Sequence, residues 1–126
     1  MKNKLRKIRI ESNEYLYAIS NKYENGNSTL IIRVFLKGYK DTPLMISFFT
    51  PDDPITGNPL KTGFDLVNHT TGLTYRVNIH EPKYIKELIL QGIRAGWSGK
   101  NKIGEQNGID YLKNLRYETK SLSQLL

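Results

Sequence analysis

The chain contains no cysteine, which removes disulfides, thiolate metal sites and thiol nucleophiles together and excludes a secreted disulfide scaffold. Packing alone must hold the fold. Long hydrophobic runs are also missing: the apolar stretches around Val34 to Leu36 and Leu88 to Leu90 extend about four residues, against the roughly eighteen a membrane span needs. The start, Met1 to Ile10, is basic but leads into Glu11, Ser12, Asn13 and Glu14 rather than an apolar run with a small-residue cleavage site, which points away from export. A cytoplasmic setting is expected. Internal repeats and low-complexity blocks are absent as well, so one domain is expected across residues 1–126, mainly strands over 1–80 and mainly helical over 81–126.

What the chain has in excess is positive charge, with a formal net charge of +7. Its placement matters more than its sum. Lys2, Lys4, Arg6, Lys7 and Arg9 fall in the first nine residues with no acid among them, and the other 14 cations nearly balance the 12 acids. The excess is therefore a terminal arm on a nearly neutral body. Such an arm can hold phosphates, and it can equally guard an exposed strand edge.

Hydropathy periods place the elements. Lys4 to Ile10 and Tyr15 to Tyr23 read as two strands joined by Glu11 to Glu14, and Asn25-Gly26 is a strong hairpin signal. Leu30, Ile32, Val34 and Leu36 then alternate with Ile31, Arg33, Phe35 and Lys37. Gly38 to Pro43 reads as a loop. Leu44 to Thr50 is apolar on both faces and predicts a central strand. Three prolines make Pro51 to Pro59 a rigid irregular loop. Phe64 to Val67 and Leu73 to Ile79 complete about six antiparallel strands. From Pro82 the period changes to that of a helix, with Ile85, Leu88, Ile89 and Ile93 on one face, Gly96 at the left-handed end position and Trp97 beyond it. Ser98 to Asn107 reads as a loop, and a short second helix is predicted from about Ile109. The predicted fold is α+β: an antiparallel sheet with a helix on one face and a short C-terminal helix.

Few residues offer chemistry. Asp52 and Asp53 are adjacent carboxylates, but between prolines they suit a turn better than a catalytic pair. His69 and His80 lack the supporting spacing of a zinc site, and His80 next to Glu81 is expected to cap the first helix. Ser47 and Thr50 are the nearest to nucleophiles, without a Gly-x-Ser-x-Gly turn or a partnered triad. Gly92, Gly96 and Gly99 lie in and after a helix, not in a phosphate cradle. No enzyme, metal or cofactor is expected. Aromatics interleaved with cations (Tyr15, Tyr17, Tyr23, Arg33, Phe35, Phe49, Tyr75 and Arg76) could fill a core or form an open aromatic and cationic face.

Phe48-Phe49-Thr50-Pro51-Asp52-Asp53-Pro54, followed by Gly57-Asn58-Pro59-Leu60, Asn78-Ile79 and a helix ending Ala95-Gly96-Trp97, resembles a group of small uncharacterised bacterial single-domain proteins. The resemblance covers about residues 28 to 112 and implies a cytoplasmic bacterial protein; it carries no active site. The leading expectation is a non-catalytic protein that binds another protein, immunity-type function being one form, through Arg33, Phe35, Asp52, Asp53 and Arg76. A nucleic-acid binder is the alternative, with Lys2, Lys4, Arg6, Lys7 and Arg9 on phosphates and Tyr15, Tyr17 and Phe35 on bases. A small hydrolase using Asp52, Asp53 or His80 is a third.

Overall fold

A computed structural model describes residues 5–24, 27–51, 60 and 63–119. Among them the order is β1 (Arg6–Ile10), β2 (Asn13–Glu24), β3 (Asn27–Leu36), β4 (Tyr39–Pro51), β5 (Phe64–Val67), β6 (Thr74–Val77), α1 (Pro82–Arg94), β7 (Glu105–Asn107) and α2 (Gly108–Asn114). The class is α+β, as the periods predict. No helix is long and apolar enough to cross a membrane among the described residues.

Strands β1 to β4 form an antiparallel meander, and β7 adds to the outer edge of β4 in parallel, giving a five-stranded mixed sheet of order β1-β2-β3-β4-β7. The expected single sheet of six strands is thus divided. Among the described residues β5 and β6 pair with each other as a separate hairpin, and the place beside β4 is taken by β7. Residues 39–43, expected as a loop, begin β4 instead. Gly38 (φ 92) makes the turn, Tyr39 pairs with Leu36, and the register then slips between Val34 and Leu36. Pro43 falls in that irregular stretch, where its missing N–H breaks no regular ladder.

The core lies on one face of the sheet. Ile10, Tyr15, Tyr17, Leu30, Ile32, Val34, Leu44, Ile46 and Phe48 are all buried there. Helix α1 covers them with Tyr84, Ile85, Leu88 and Ile89, and the absence of a Cβ at Gly92 and Gly108 lets the helices lie directly on Leu44 and Phe48. The start of α1 differs from expectation. Its N-cap is Glu81, with no side-chain cap, and the amide of His80 donates to Asn78 Oδ1 at 2.9 Å. The end of α1 follows the sequence reading: Gly96 has φ 112, Trp97 N–H donates to Gly92 O and Gly96 N–H to Ile93 O, the paired bonds of a Schellman motif.

Helix α2 starts on Asn107, whose Oδ1 accepts from the amides of Ile109 (2.9 Å) and Asp110 (3.4 Å). It ends in the same way as α1, with Tyr117 N–H to Leu112 O and Arg116 N–H to Lys113 O. Here the left-handed position is held by Arg116 (φ 75) rather than glycine. The chain then runs beside the β5–β6 hairpin, where Glu118 N–H donates to Val67 O at 2.8 Å and buried Asn68 donates from Nδ2 to Leu115 O at 3.1 Å. A left-handed conformation costs a residue with a Cβ about 1–2 kcal/mol, and glycine returns part of that gain as unfolded-chain entropy. Arg116→Gly is therefore expected to stabilise the protein by about 0.5–1 kcal/mol, raising Tm by about 2–4 °C. Thermal unfolding followed by circular dichroism checks this; a lower Tm would mean that the exposed Arg116 side chain contributes more than its backbone strain removes.

Candidate functional site

The two-residue period that sends Leu30, Ile32 and Val34 into the core sends their neighbours to the opposite face of the sheet. No helix among the described residues covers that face. Its rungs follow from the register: Lys7, Leu16 and Phe35; then Ala18, Arg33, Met45 and Glu105; then Ser20, Ile31, Ser47 and Asn107; then Lys22, Thr29 and Phe49. Every one of these residues is half-buried or exposed, and Phe49 is 61% exposed. The result is an apolar surface of Leu16, Ile31, Phe35, Met45 and Phe49 with charged side chains set into it.

Those charges have a direction. Toward the β1 edge, Lys7 and Arg9 flank Glu14, which binds Lys37 Nζ at 2.9 Å. The hydrogen bond from Lys37 holds the Glu14 carboxyl below its usual pKa, and the nearby Lys7 and Arg9 charges add to this. Toward the β7 edge lie Glu105 and Asp110. Between them Arg33 stands exposed on the central strand β3, opposite Ala18 and Met45, and no carboxylate among the described residues pairs with it.

A groove of about 470 Å³ opens where this face meets α2, lined by Ser47, Phe49, Asn107, Ile109, Asp110 and Lys113. A smaller hollow of about 240 Å³ beside Pro43 and Met45 shares Glu105 with it. Ser47 Oγ is buried and has no hydrogen-bond partner. It has no histidine beside it: His80 lines a separate cavity of about 110 Å³ with Arg6, Tyr17, Ala18 and Ile19. No group of three His, Cys, Asp or Glu side chains that could hold a metal ion occurs among the described residues.

Arg33 and Phe35 do share the open face. Tyr15 and Tyr17 do not: they are buried on the other side, Tyr15 with its ring centroid 5.8 Å from that of Trp97, so neither can stack on a base. Residue parity on β2 decides this, because the residues between Tyr15, Tyr17 and Ile19 are the ones that look outward. Arg76 belongs to the separate β5–β6 hairpin, where Nη1 meets Asp65 Oδ1 at 3.3 Å, and so does not join Arg33. The basic arm is divided as well. Lys7 and Arg9 lie on the open face, whereas Arg6 points with Ile8 and Ile10 to the core side. Lys2, Lys4, Asp52 and Asp53 lie outside the described residues, as does the Thr50 side chain.

Alternation sets Ile31 beside Arg33 and Phe35 and sets Met45 opposite Leu44, but it does not single out Met45 or Leu16 as surface residues, and Glu105 and Asn107, in a stretch expected as a loop, carry no signal as part of the sheet. The apolar character of both faces of β4 was the available signal, and it reads equally as full burial. No family model, no curated protein and no solved structure matches this chain.

Proposed function

We propose that this chain is a non-catalytic binding protein of the bacterial cytoplasm that works by joining its open sheet face to a partner protein. The observation that carries the reading is the apolar surface of Leu16, Ile31, Phe35, Met45 and Phe49, which no helix among the described residues covers, on a sheet whose other face holds the core. Contiguous apolar surface is costly to leave in water and commonly marks a contact site. The mechanism is occlusion: the sheet covers a working surface of its partner, as an immunity-type protein covers a toxin. The resemblance of the Phe48 to Pro54 segment to small bacterial proteins is consistent with this setting.

Placing acids in the surface tests it. Met45→Glu combined with Phe49→Glu is expected to abolish capture of a partner that the unaltered chain retains from its native cell extract. Leu73→Glu, at a 59% exposed residue beside the β5–β6 hairpin, is expected to leave capture intact. Equal retention by all three proteins would remove the open face from the reading.

One observation favours nucleic acid as the second reading: Lys7, Arg9 and Arg33 share their face with Phe35 and Phe49. Fluorescence anisotropy of a labelled single-stranded oligonucleotide at about 50 and 200 mM salt separates the two, since phosphate-driven binding falls steeply over that range. No micromolar binding is expected. Tight binding that collapses with salt and is lost with Lys7→Glu and Arg33→Glu would replace the protein partner with nucleic acid.

A further inference from the structure

We infer that the open face receives an acidic segment of its partner, which sets a carboxylate on Arg33 and an apolar side chain in the groove beside Phe49. The inference rests on the binding reading above and gives the partner a chemistry. Arg33, on the middle strand, is a guanidinium without a carboxylate among the described residues, and its neighbours on the face include Met45, Phe35, Ile31 and Leu16. Arginine ringed by apolar contacts is the arrangement in which a charged pair becomes a strong anchor, because closing the interface removes the water around it. The remaining cations of the face are Lys7 and Arg9 on β1, Lys22 on β2 beside Thr29, and Lys37, which is bound to Glu14.

Charge and size narrow the occupant. With strands about 4.8 Å apart and rungs about 6.8 Å apart, the whole face measures about 20 Å by 20 Å, or about 400 Å², and its apolar residues on β2 to β4 occupy about half of that width. The face is about half of one partner's share of a standard protein interface. It suits a strand or a helix of the partner more than a broad globular surface. A second copy is the competing occupant: stacked face to face about an axis along β3, it would set Lys7 and Arg9 over Glu105 and Asp110 but Arg33 over Arg33, and a dimer of the full chain in sedimentation at micromolar concentration would overturn the acidic segment. The acids Glu105 and Asp110 at the other end set the direction. The acidic part of the segment lies over β1 to β3, and its apolar anchor lies toward β7 and α2, where Phe49 and Ile109 wall the groove.

The test is selection of displayed random 12-residue peptides on the immobilised full chain, with the winners then synthesised, labelled and titrated by anisotropy. Winners are expected to combine several Asp or Glu residues with one or more large apolar residues. Arg33→Glu should weaken them by about tenfold or more. Lys86→Glu, an equal charge change on the exposed side of α1, should leave them within about twofold. Circular dichroism confirms that both variants fold. Winners without an acidic excess, or winners indifferent to Arg33→Glu yet lost with Met45→Glu and Phe49→Glu, would overturn this inference and leave the binding reading standing. Winners indifferent to every one of these changes, or no winners at all, would count against both. Displacement of winners by a single-stranded oligonucleotide at micromolar concentration would assign the Arg33 site to phosphate instead.

Discussion

Trp97→Ala is expected to cost about 4–5 kcal/mol, the upper part of the range for removing a buried aromatic side chain. For a chain of this size that corresponds to a loss of more than about 10 °C in Tm. Trp97 is the single tryptophan and is 1% exposed. It closes the Schellman motif at the end of α1, lies against the Tyr15 ring at 5.8 Å and donates from Nε1 to the carbonyl of Thr42 at 3.0 Å. One side chain therefore ties the end of the helix to β2 and to the irregular start of β4. Thr42 is held a second time, since its Oγ1 donates to Gly99 O at 2.6 Å. Alanine would leave a cavity and a partly buried carbonyl without its donor, and the two costs add. Trp97→Phe separates them: the ring keeps most of the packing, and the lost hydrogen bond should cost about 1–2 kcal/mol. Urea unfolding followed by far-UV circular dichroism gives both numbers. A loss below about 2 kcal/mol for alanine would show that residues 39–43 do not depend on the tryptophan.

The strands of the meander were legible because each is long and alternates strictly, and the turn that ends α1 was legible because Gly96-Trp97 carries its own chemistry. What escaped the sequence was held by tertiary contacts instead. β7 is three polar residues, Glu105-Gln106-Asn107, with no hydropathy signal of its own; it becomes a strand only because β4 presents an unpaired edge at Met45 to Ser47. The separation of β5 and β6 from the main sheet has the same origin. Neither four-residue strand says which edge it will meet. The candidate face was half legible. Alternation placed Arg33 and Phe35 together on the side opposite Leu30, but burial of Tyr15 and Tyr17 depended on which face of β2 the helices would cover. An aromatic strand residue reads alike in a core and on a binding surface, so only the packing of α1 and α2 could separate Tyr15 from Phe49.

Gly108→Ala is expected to destabilise by about 2–3 kcal/mol, although alanine is the better helix former by about 1 kcal/mol. A Cβ at Gly108 would lie 2.4–2.5 Å from three carbons of the Phe48 ring, which is fully buried. A ring cannot fold away from such a contact, so α2 must lift off β4. Gly92 supplies the comparison. Its Cβ would meet Leu44 Cδ2 at 2.4 Å, the far end of a flexible chain that can change rotamer, and the gain in helix propensity offsets part of the strain. Gly92→Ala should therefore cost less, about 1 kcal/mol. Shrinking the ring should return part of the loss. Phe48→Leu in the Gly108→Ala background is expected to cost less than Phe48→Leu alone, a coupling that a double-mutant cycle in urea measures. Additive losses would mean that the ring yields without the helix moving. The same cycle bears on binding, because lifting α2 carries Ile109 and Lys113 away from Phe49 and opens the groove. Peptides anchored there should dissociate faster from Gly108→Ala than from Gly92→Ala, and the Phe48→Leu change should reverse part of that difference.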